Sequence, residues 1–400
     1  MLPSRWPRPH PDAVRFVPFF VGLNLLGGVY VPFFPAWLAS VGFDPESIGL
    51  LMMVMGLVRV VAGPAIGFFA DAFAARRLAI VGLTGMLALS YVGYRILPGV
   101  VFVVLFSITT SLASSAVRPL IDGAMVRSAL HNKFDYGRVV LFGSAAFIVM
   151  NLGSGALIEG RGIDSFLTIA IAASVYSLAT SFLLPREPMA QRAPHLQGMW
   201  REAVALVRQP VFIVFVAAAG VAQASHAFYY GFGTLNWRDL GYSADFIGLL
   251  WALGVIAEIV LFSMSNRVVA RLGPVRLLAA AAISGLIRWT VVALSPPLWL
   301  LIPVQLLHAG TFGAAHLGAM HFMARAVPAH LVSTAQSLYA AIMIGIFMAG
   351  GQYVSGHLFA DHGALGYLLM TGTSAVALGL SLLLGRMWSG GVLHPNGGAA

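Results

Sequence analysis

The sequence predicts an all-α membrane protein with twelve spanning helices in two six-helix halves. Three observations carry that reading: an apolar composition, apolar runs of bilayer length, and an internal repeat at a constant offset. Hydrophobic residues make up 59% of the chain and charged residues only 9%, against about 25% charged in a soluble domain. Mean hydropathy is +0.87. A span needs roughly 20 apolar residues, so a chain of 400 residues has room for about a dozen such helices and short connections.

Apolar runs place the helices at residues 16–39, 47–70, 77–95, 99–126, 138–158, 163–184, 210–236, 244–265, 274–294, 297–324, 331–356 and 363–387. Residues 185–209 differ. They hold Arg186, Glu187, Arg192, Arg201, Glu202 and Arg208 among Pro185, Pro188 and Pro194, the punctuation of a linker. The expected organisation is a first half over 1–184, a cytoplasmic central linker over 185–209 and a second half over 210–400. Residues 1–15 are rich in proline and arginine and lack an apolar core with a small-residue cleavage site, so they read as a cytoplasmic tail before an uncleaved first helix.

Charge tests the topology. With both termini inside, Arg76, Arg77, Arg127, Lys133, Arg138, Arg267, Arg271, Arg276, Arg325 and Arg386 join the basic residues of the tail and linker on the inner face. Only Arg95, Arg161 and Arg238 fall outside. That bias is the positive-inside rule, and it accounts for the formal net charge of +9 without nucleic acid as a partner. Every basic residue but Lys133 is arginine, and there is no cysteine, which excludes disulfides and thiolate metal sites. The expected location is the cytoplasmic (inner) membrane of a bacterium, multi-pass, with both termini cytoplasmic.

The repeat is clearest around Gly42–Arg59 and Gly241–Glu258. A shift of 199 places Gly42 on Gly241, Ile48–Leu51 on Ile247–Leu250, Tyr30 on Tyr229, and Arg59 on Glu258. From Asp245 to Glu258 the chain is apolar. At roughly 1.5 Å per residue the carboxylate lies about 20 Å beyond the helix entry, near the middle of a roughly 30 Å hydrocarbon core. An ionisable group at that depth is a functional-site hypothesis. Arg59 is its opposite-charge counterpart in the first half.

Several stretches carry a family resemblance. The loop after the second helix, from Gly67 through Asp71 to Arg76 and Arg77, resembles the major facilitator loop motif, although Ala72 and Ala74 replace its usual basic residue and glycine. Further pieces are Asp135-Tyr136-Gly137-Arg138 leading to Phe142–Phe147, Tyr229-Tyr230-Gly231-Phe232, Gly254-Val255-Ile256-Ala257-Glu258, Arg288-Trp289, and Gln305–Phe312. Together they resemble the bacterial 3-phenylpropionate permease group of the major facilitator superfamily, near the lactose and oligosaccharide proton symporters. The resemblance implies proton-driven uptake of a small organic solute, an aromatic acid being favoured, by two parallel repeats.

The residues themselves suggest roles. Glu258 is the first candidate proton carrier, and Asp122 a second. Arg59 and Arg288 are candidate anion binders, because an arginine fork holds a carboxylate bidentately. A substrate carboxylate and Glu258 then compete for arginine; a permanent Glu258–Arg ion pair is the bland alternative. Arg118 and Asp122 share a helix face at i, i+4 and read, with Arg138 and Asp71, as a gate or loop-anchoring network. His308, with Gln305 and Thr311 three residues to either side, forms a polar stripe on an apolar helix. His226 is a weaker candidate to line the cavity and His316 weaker again. Tyr229, Tyr230 and Trp251 offer ring faces to a planar substrate, whereas Trp37 and Trp237 fit interfacial anchors. Asn24 is the only amide in the first helix and a candidate to line the cavity.

No cofactor and no metal site are expected, and the absence of a Walker motif argues against an ATP-driven pump. The histidines are scattered, so a membrane enzyme is not expected. The leading reading is a secondary transporter, with small solute, protons and the lipid bilayer as partners and a monomer as the expected state. Efflux of drugs or metabolites, sugar or nucleoside proton symport, and a membrane sensor of transporter fold stand as alternatives.

Overall fold

The computed structural model describes residues 11–73, 75–132, 136–185, 202 and 204–393. All regular elements among them are helical, with no strand. The elements are α1 (Pro11–Ser40), α2 (Pro45–Ala72), α3 (Arg76–Ile96), α4 (Val100–Asn132), α5 (Tyr136–Arg161), α6 (Ser165–Ser181), α7 (Pro210–Ala224), α8 (Ala227–Asp239), α9 (Ala244–Ser263), α10 (Ser265–Ala293), α11 (Leu298–Leu306), α12 (Ala315–Ala326), α13 (Val332–Ile342), α14 (Ala349–His362) and α15 (Tyr367–Met387). Among the described residues, ten stretches are long and apolar enough to cross a membrane by length and composition, one of them the 54 residues of Thr334–Met387. Ser165–Ser181 is a shorter apolar helix.

In hydrocarbon the backbone must satisfy itself, so helices run unbroken except where a specific residue interrupts them. The run expected at 210–236 breaks at Ser225 and His226, between α7 and α8. The run at 297–324 passes through a π-helical segment, Ala309–Ala314, and the run at 331–356 through another, Met343–Met348. Gly273, at φ 70, breaks α10 ahead of Pro274. The turns at Gly42 (φ 98) and Gly241 (φ 81) both need the left-handed conformation that glycine tolerates. They stand 199 residues apart, so the repeat extends to backbone geometry. After Gly42, Asp44 caps α2, accepting the Ser47 backbone N–H at 2.7 Å. That bond holds the Asp44 carboxyl below its usual range. Hydroxyls inside the spans discharge onto their own helices, as Thr84 to the Ile80 carbonyl and Ser381 to that of Ala377.

By contacts the chain divides into two compact units, Met1–Trp37 with Val58–Gln191, and Leu38–Leu57 with Arg192–Ala400. In the first, α3 packs along α4 and α6. Its core includes an aromatic cluster in which Trp37 stacks on Phe166 at 5.7 Å and meets Tyr94 edge-on at 5.1 Å. In the second, α15 packs along α10 and α7, and Phe215 of α7 stacks on Phe322 of α12 at 4.1 Å. Trp37 and Trp237 are 2% and 1% exposed. Both are therefore core residues rather than the expected interfacial anchors, because each finds aromatic partners inside its own unit. Large apolar side chains such as Val61, Leu89, Val101 and Trp299 remain exposed, as lipid-facing positions require. Most of the expected linker, with Arg5, Arg8, Lys133 and Asp135, lies outside the described residues; so does the side chain of Asp71.

Residues 38–57 join the second unit because two backbones meet there. A Cβ on Gly356 of α14 would lie 2.6 Å from the Pro45 carbonyl oxygen and 3.1 Å from the Gly49 Cα. Backbone cannot rotate away, so Gly356→Ala forces α2 and α14 apart. Overpacking of this kind costs about 1–3 kcal/mol. Gly356→Ala is expected to lower the unfolding temperature of the purified protein measurably. Gly350→Ala, where a Cβ meets nothing within 4 Å, should leave it unchanged.

Candidate functional site

The polar residues of the second unit converge. Arg288 of α10 is fully buried, at 0% exposure. A guanidinium in such a place is tolerated only if its donors are met. Its Nη1 donates to His308 Nδ1 at 2.8 Å and to Thr311 Oγ1 at 3.0 Å. Its Nη2 donates to Gln305 Oε1 at 3.0 Å. The guanidinium carbon also lies 4.4 Å from the Trp289 ring centre and 4.7 Å from that of Tyr229, cation–π distances. Every one of these partners is neutral or a ring face.

The carboxylate comes one step later. His308 Nε2 lies 2.8 Å from Glu258 Oε1. Arginine can only donate, so Nδ1 of His308 is the acceptor and the ring proton sits on Nε2, where it donates to Glu258. His308 thus stands between the buried acid and the buried base. The sequence reading left open which arginine Glu258 meets; within this unit the side chain it touches is His308. His226 shows the same logic. Its Nδ1 donates to the Gln223 carbonyl at 3.0 Å, so Nε2 accepts from Thr311, 2.9 Å away.

Local sequence explains the convergence. The Ala309–Ala314 π segment contains Gly310 and Gly313. A Cβ on Gly310 would sit 2.5 Å from Ser284 Oγ of α10, and one on Gly313 would sit 2.8 Å from Leu261 of α9. The two glycines therefore let this segment lie against both neighbours. On α9, Gly254 clears room for the His308 ring, whose Cδ2 would be 3.1 Å from an added Cβ. π segments of this kind recur at functional sites.

An aromatic wall completes the cluster. Tyr229 and Trp251 have ring centres 4.4 Å apart, Tyr230 stacks with Trp251 at 6.0 Å, and Trp251 Nε1 donates to Thr234 at 3.0 Å. The Tyr229 hydroxyl lies 3.5 Å from Gln305 Oε1. Tyr367 stacks on Trp289 at 5.9 Å. Arg288 Nε, Gln305 Nε2 and the Tyr367 hydroxyl are buried without a protein hydrogen-bond partner among the described residues. Tyr367 went unseen in the sequence: a tyrosine at the start of an apolar helix carries no signal. Trp289 was visible only as part of a motif. His316, stacked on Phe312 at 6.3 Å, lies along the same helical run.

The remaining sequence candidates lie in the first unit. Arg59 Nε donates to Ser111 Oγ at 3.2 Å. Arg118 Nε pairs with Asp122 Oδ2 at 3.1 Å, and its guanidinium lies 4.6 Å from the Phe20 ring centre. Asn24 donates to the Phe20 carbonyl of its own helix at 2.7 Å. Arg138 is exposed in the first turn of α5, and Asp71 lies in the last turn of α2. Among the described residues no three His, Cys, Asp or Glu side chains are grouped to hold a metal ion.

A multi-helix apolar bundle with a buried Arg–His–Glu chain and an aromatic wall is the build of a solute transporter rather than of an enzyme. Comparison with known proteins gives the class. The MFS_1 like family matches residues 17–369, and the chain belongs to that family of major facilitator membrane transporters. It is 32% identical over 359 residues, 88% of this chain and 93% of the other, to the "Probable 3-phenylpropionic acid transporter" of Escherichia coli (strain K12). It is 28% identical to the maltose permease of Geobacillus stearothermophilus, over 85% of this chain and 86% of that one. Among solved structures, the nucleoside transporter NupG superposes with a TM-score of 0.80 at 16% identity, covering 94% of this chain and 99% of that chain. That last likeness speaks to the fold.

Proposed function

We propose that this protein takes up a small aromatic carboxylate together with protons, by alternating access across the inner membrane of a bacterium. The observation that carries the reading is the fully buried Arg288, whose hydrogen bonds go to neutral acceptors and whose nearest acid is reached only through His308. A buried cation so placed favours an anion. The name of the Escherichia coli relative, a probable 3-phenylpropionic acid transporter, agrees with an aromatic acid.

In this mechanism an anionic substrate and an ionised Glu258 compete for the positive field of Arg288. A proton on Glu258 removes the competitor and loosens the charge-assisted bond that holds His308 against it. His308 then releases Nη1 of Arg288, and the substrate carboxylate takes its place, assisted by Gln305 Nε2. Tyr229, Tyr230 and Trp251 stack on the ring, with His226 ordering the polar wall through Thr311. Because each ligand favours the other, the coupling is reciprocal and drives symport. Within the first unit, Arg59 and Asn24 remain candidate binding residues, and Arg118, Asp122, Arg138 and Asp71 serve as a gate.

Twelve spans fit this reading. At about 1.5 Å per residue the 54 residues of Thr334–Met387 are far longer than one crossing, and the turn at Gly363 (φ 53) divides them into two. Ser165–Ser181 supplies one more. Cytoplasmic termini follow from the arginine bias.

The test is a solute panel on protein reconstituted in vesicles carrying an internal pH-sensitive dye. Aromatic carboxylates, oligosaccharides and nucleosides are added under an inward proton gradient. Proton influx with the aromatic acids and none with neutral sugars or nucleosides is expected. Influx with maltose or a nucleoside alone would replace the anion reading with that of a neutral-solute symporter.

A further inference from the structure

The helical run from α11 to α12 carries a second imidazole on the face of His308. His308, Phe312 and His316 follow one another at intervals of four residues, which places them on one side of the run. Their rings form a column: His308 stacks on Phe312 at 5.5 Å and Phe312 on His316 at 6.3 Å. Helix α9 lies along that side. A Cβ on Gly313 would be 3.8 Å from Glu258 Cγ and 3.7 Å from Phe262 Cε1. Phe262 is one turn on from Glu258, and its ring meets that of His316 edge-on at 6.2 Å. The α9 face that holds Glu258 thus meets one imidazole beside the acid and another further along.

The two histidines differ in what holds them. Both ring nitrogens of His308 are in use: Nδ1 accepts from Arg288 and Nε2 donates to Glu258. A proton arriving on Nδ1 would set two donors against each other, so His308 is a poor carrier. His226 is engaged at both nitrogens as well, and His321 Nδ1 bonds to the Leu317 carbonyl at 3.0 Å. Among the described residues His316 is held by ring contacts rather than by hydrogen bonds, and it is exposed. An ionisable side chain within a span faces a partner or a water-filled path.

Few charges compete around it. On α9 no ionisable side chain follows Glu258. Helix α10 meets α12 through Leu277 and Ala281. Its arginines are Arg288, bonded to His308, and the exposed Arg267, Arg271 and Arg276 nearer its start. Helix α7 has no ionisable side chain, and α13 brings only Tyr339, which packs on Phe215. Along its own run the titratable or charged neighbours are His308, His321 and Arg325.

We propose that His316 is the proton relay between Glu258 and water on the inner side, an inference that rests on reading Glu258 as the proton carrier. Because Oε1 accepts the His308 Nε2–H, the transported proton rides on Oε2. The Oε2–H bond breaks and the proton passes to the unprotonated ring nitrogen of His316, leaving a carboxylate and an imidazolium. The other ring nitrogen gives its proton to water, and a ring flip restores the starting tautomer. His316 lies ten residues, about 15 Å, before the end of α12 at Ala326, part-way between the acid and the helix end.

The experiment compares two fluxes of a labelled aromatic carboxylate in vesicles held at equal pH on both sides. Net downhill uptake requires Glu258 to shed its proton inside on every turnover; equilibrium exchange does not. The variants are His316→Phe, which keeps the ring column, and His316→Ala, which leaves a ring-sized gap. Both are expected to slow net uptake at least about tenfold, with exchange within about twofold of wild type. Added imidazole should restore net uptake to His316→Ala and leave wild type unchanged. Pyrazole, of the same shape but not basic near neutrality, should restore nothing. Wild-type net uptake by His316→Phe, a parallel loss of exchange in monodisperse protein, or equal rescue by pyrazole overturns the relay. Unaltered pH-driven accumulation by Glu258→Gln would instead remove the proton-carrier reading beneath it. Uncoupling by Glu258→Gln together with undiminished net uptake by His316→Phe would sink the relay alone.

Discussion

Arg288→Lys is expected to lower the initial rate of carboxylate uptake by at least about thirtyfold, with the protein still inserted and monodisperse. Arg288 is held by bonds to His308, Thr311 and Gln305 and by the ring faces of Tyr229 and Trp289. A lysine ammonium is a point charge on a flexible stem and reproduces the charge without the planar fork. It cannot bridge His308 and Gln305 together and still offer an edge to a substrate. Losing one partner of a buried charge pair costs about 2–5 kcal/mol, which is roughly thirtyfold to several thousandfold in affinity. Radiolabelled uptake into vesicles, read beside substrate binding to the purified protein, checks it. Uptake at the wild-type rate would mean that Arg288 is a packing residue and that the anion is held elsewhere.

The second large effect belongs to Glu258. Glutamine is nearly isosteric, and its carbonyl oxygen still accepts the His308 Nε2–H. That bond is no longer charge-assisted, so Glu258→Gln resembles the protonated acid, in which His308 is free to release Arg288 to the substrate. Substrate should bind to this variant and exchange across the membrane. What disappears is the requirement that a proton accompany it, so a pH gradient no longer concentrates the solute. The loss falls on accumulation, not on recognition, which separates a proton carrier from a structural ion pair. If Glu258 only anchored His308, the glutamine variant would accumulate substrate as wild type does.

The broad fold was legible in the sequence because hydrocarbon imposes simple rules. Long apolar runs must be helices, and Gly42 and Gly241 marked equivalent turns. What hydropathy could not register is local backbone departure inside an apolar run. Ser225 and His226 break one helix, and Ala309–Ala314 loosens another, inside runs that stay apolar when averaged over a span. Trp37 and Trp237 misled for a related reason. A tryptophan near a helix end reads as an anchor until its neighbours are known, and here Phe166, Tyr94, Tyr229 and Trp251 bury the two.

The candidate site was legible through isolated polar residues. Glu258, Arg288, Gln305 and His308 each interrupt an apolar helix, and the structure brings these four into one hydrogen-bonded chain. The order within the chain was not legible. That His308 separates the acid from the arginine depends on Gly254, Gly310 and Gly313 admitting three helices to close approach. Spacing along one helix does not encode that. Tyr367 lay beyond reach for the same reason, since its place beside Trp289 is a tertiary fact.

The most direct test is a paired measurement on Glu258→Gln in vesicles: accumulation of an aromatic carboxylate under an imposed pH gradient, and exchange of the same labelled solute with no gradient. Lost accumulation with exchange comparable to wild type is the predicted result. Accumulation at the wild-type level would contradict Glu258 as the coupling group.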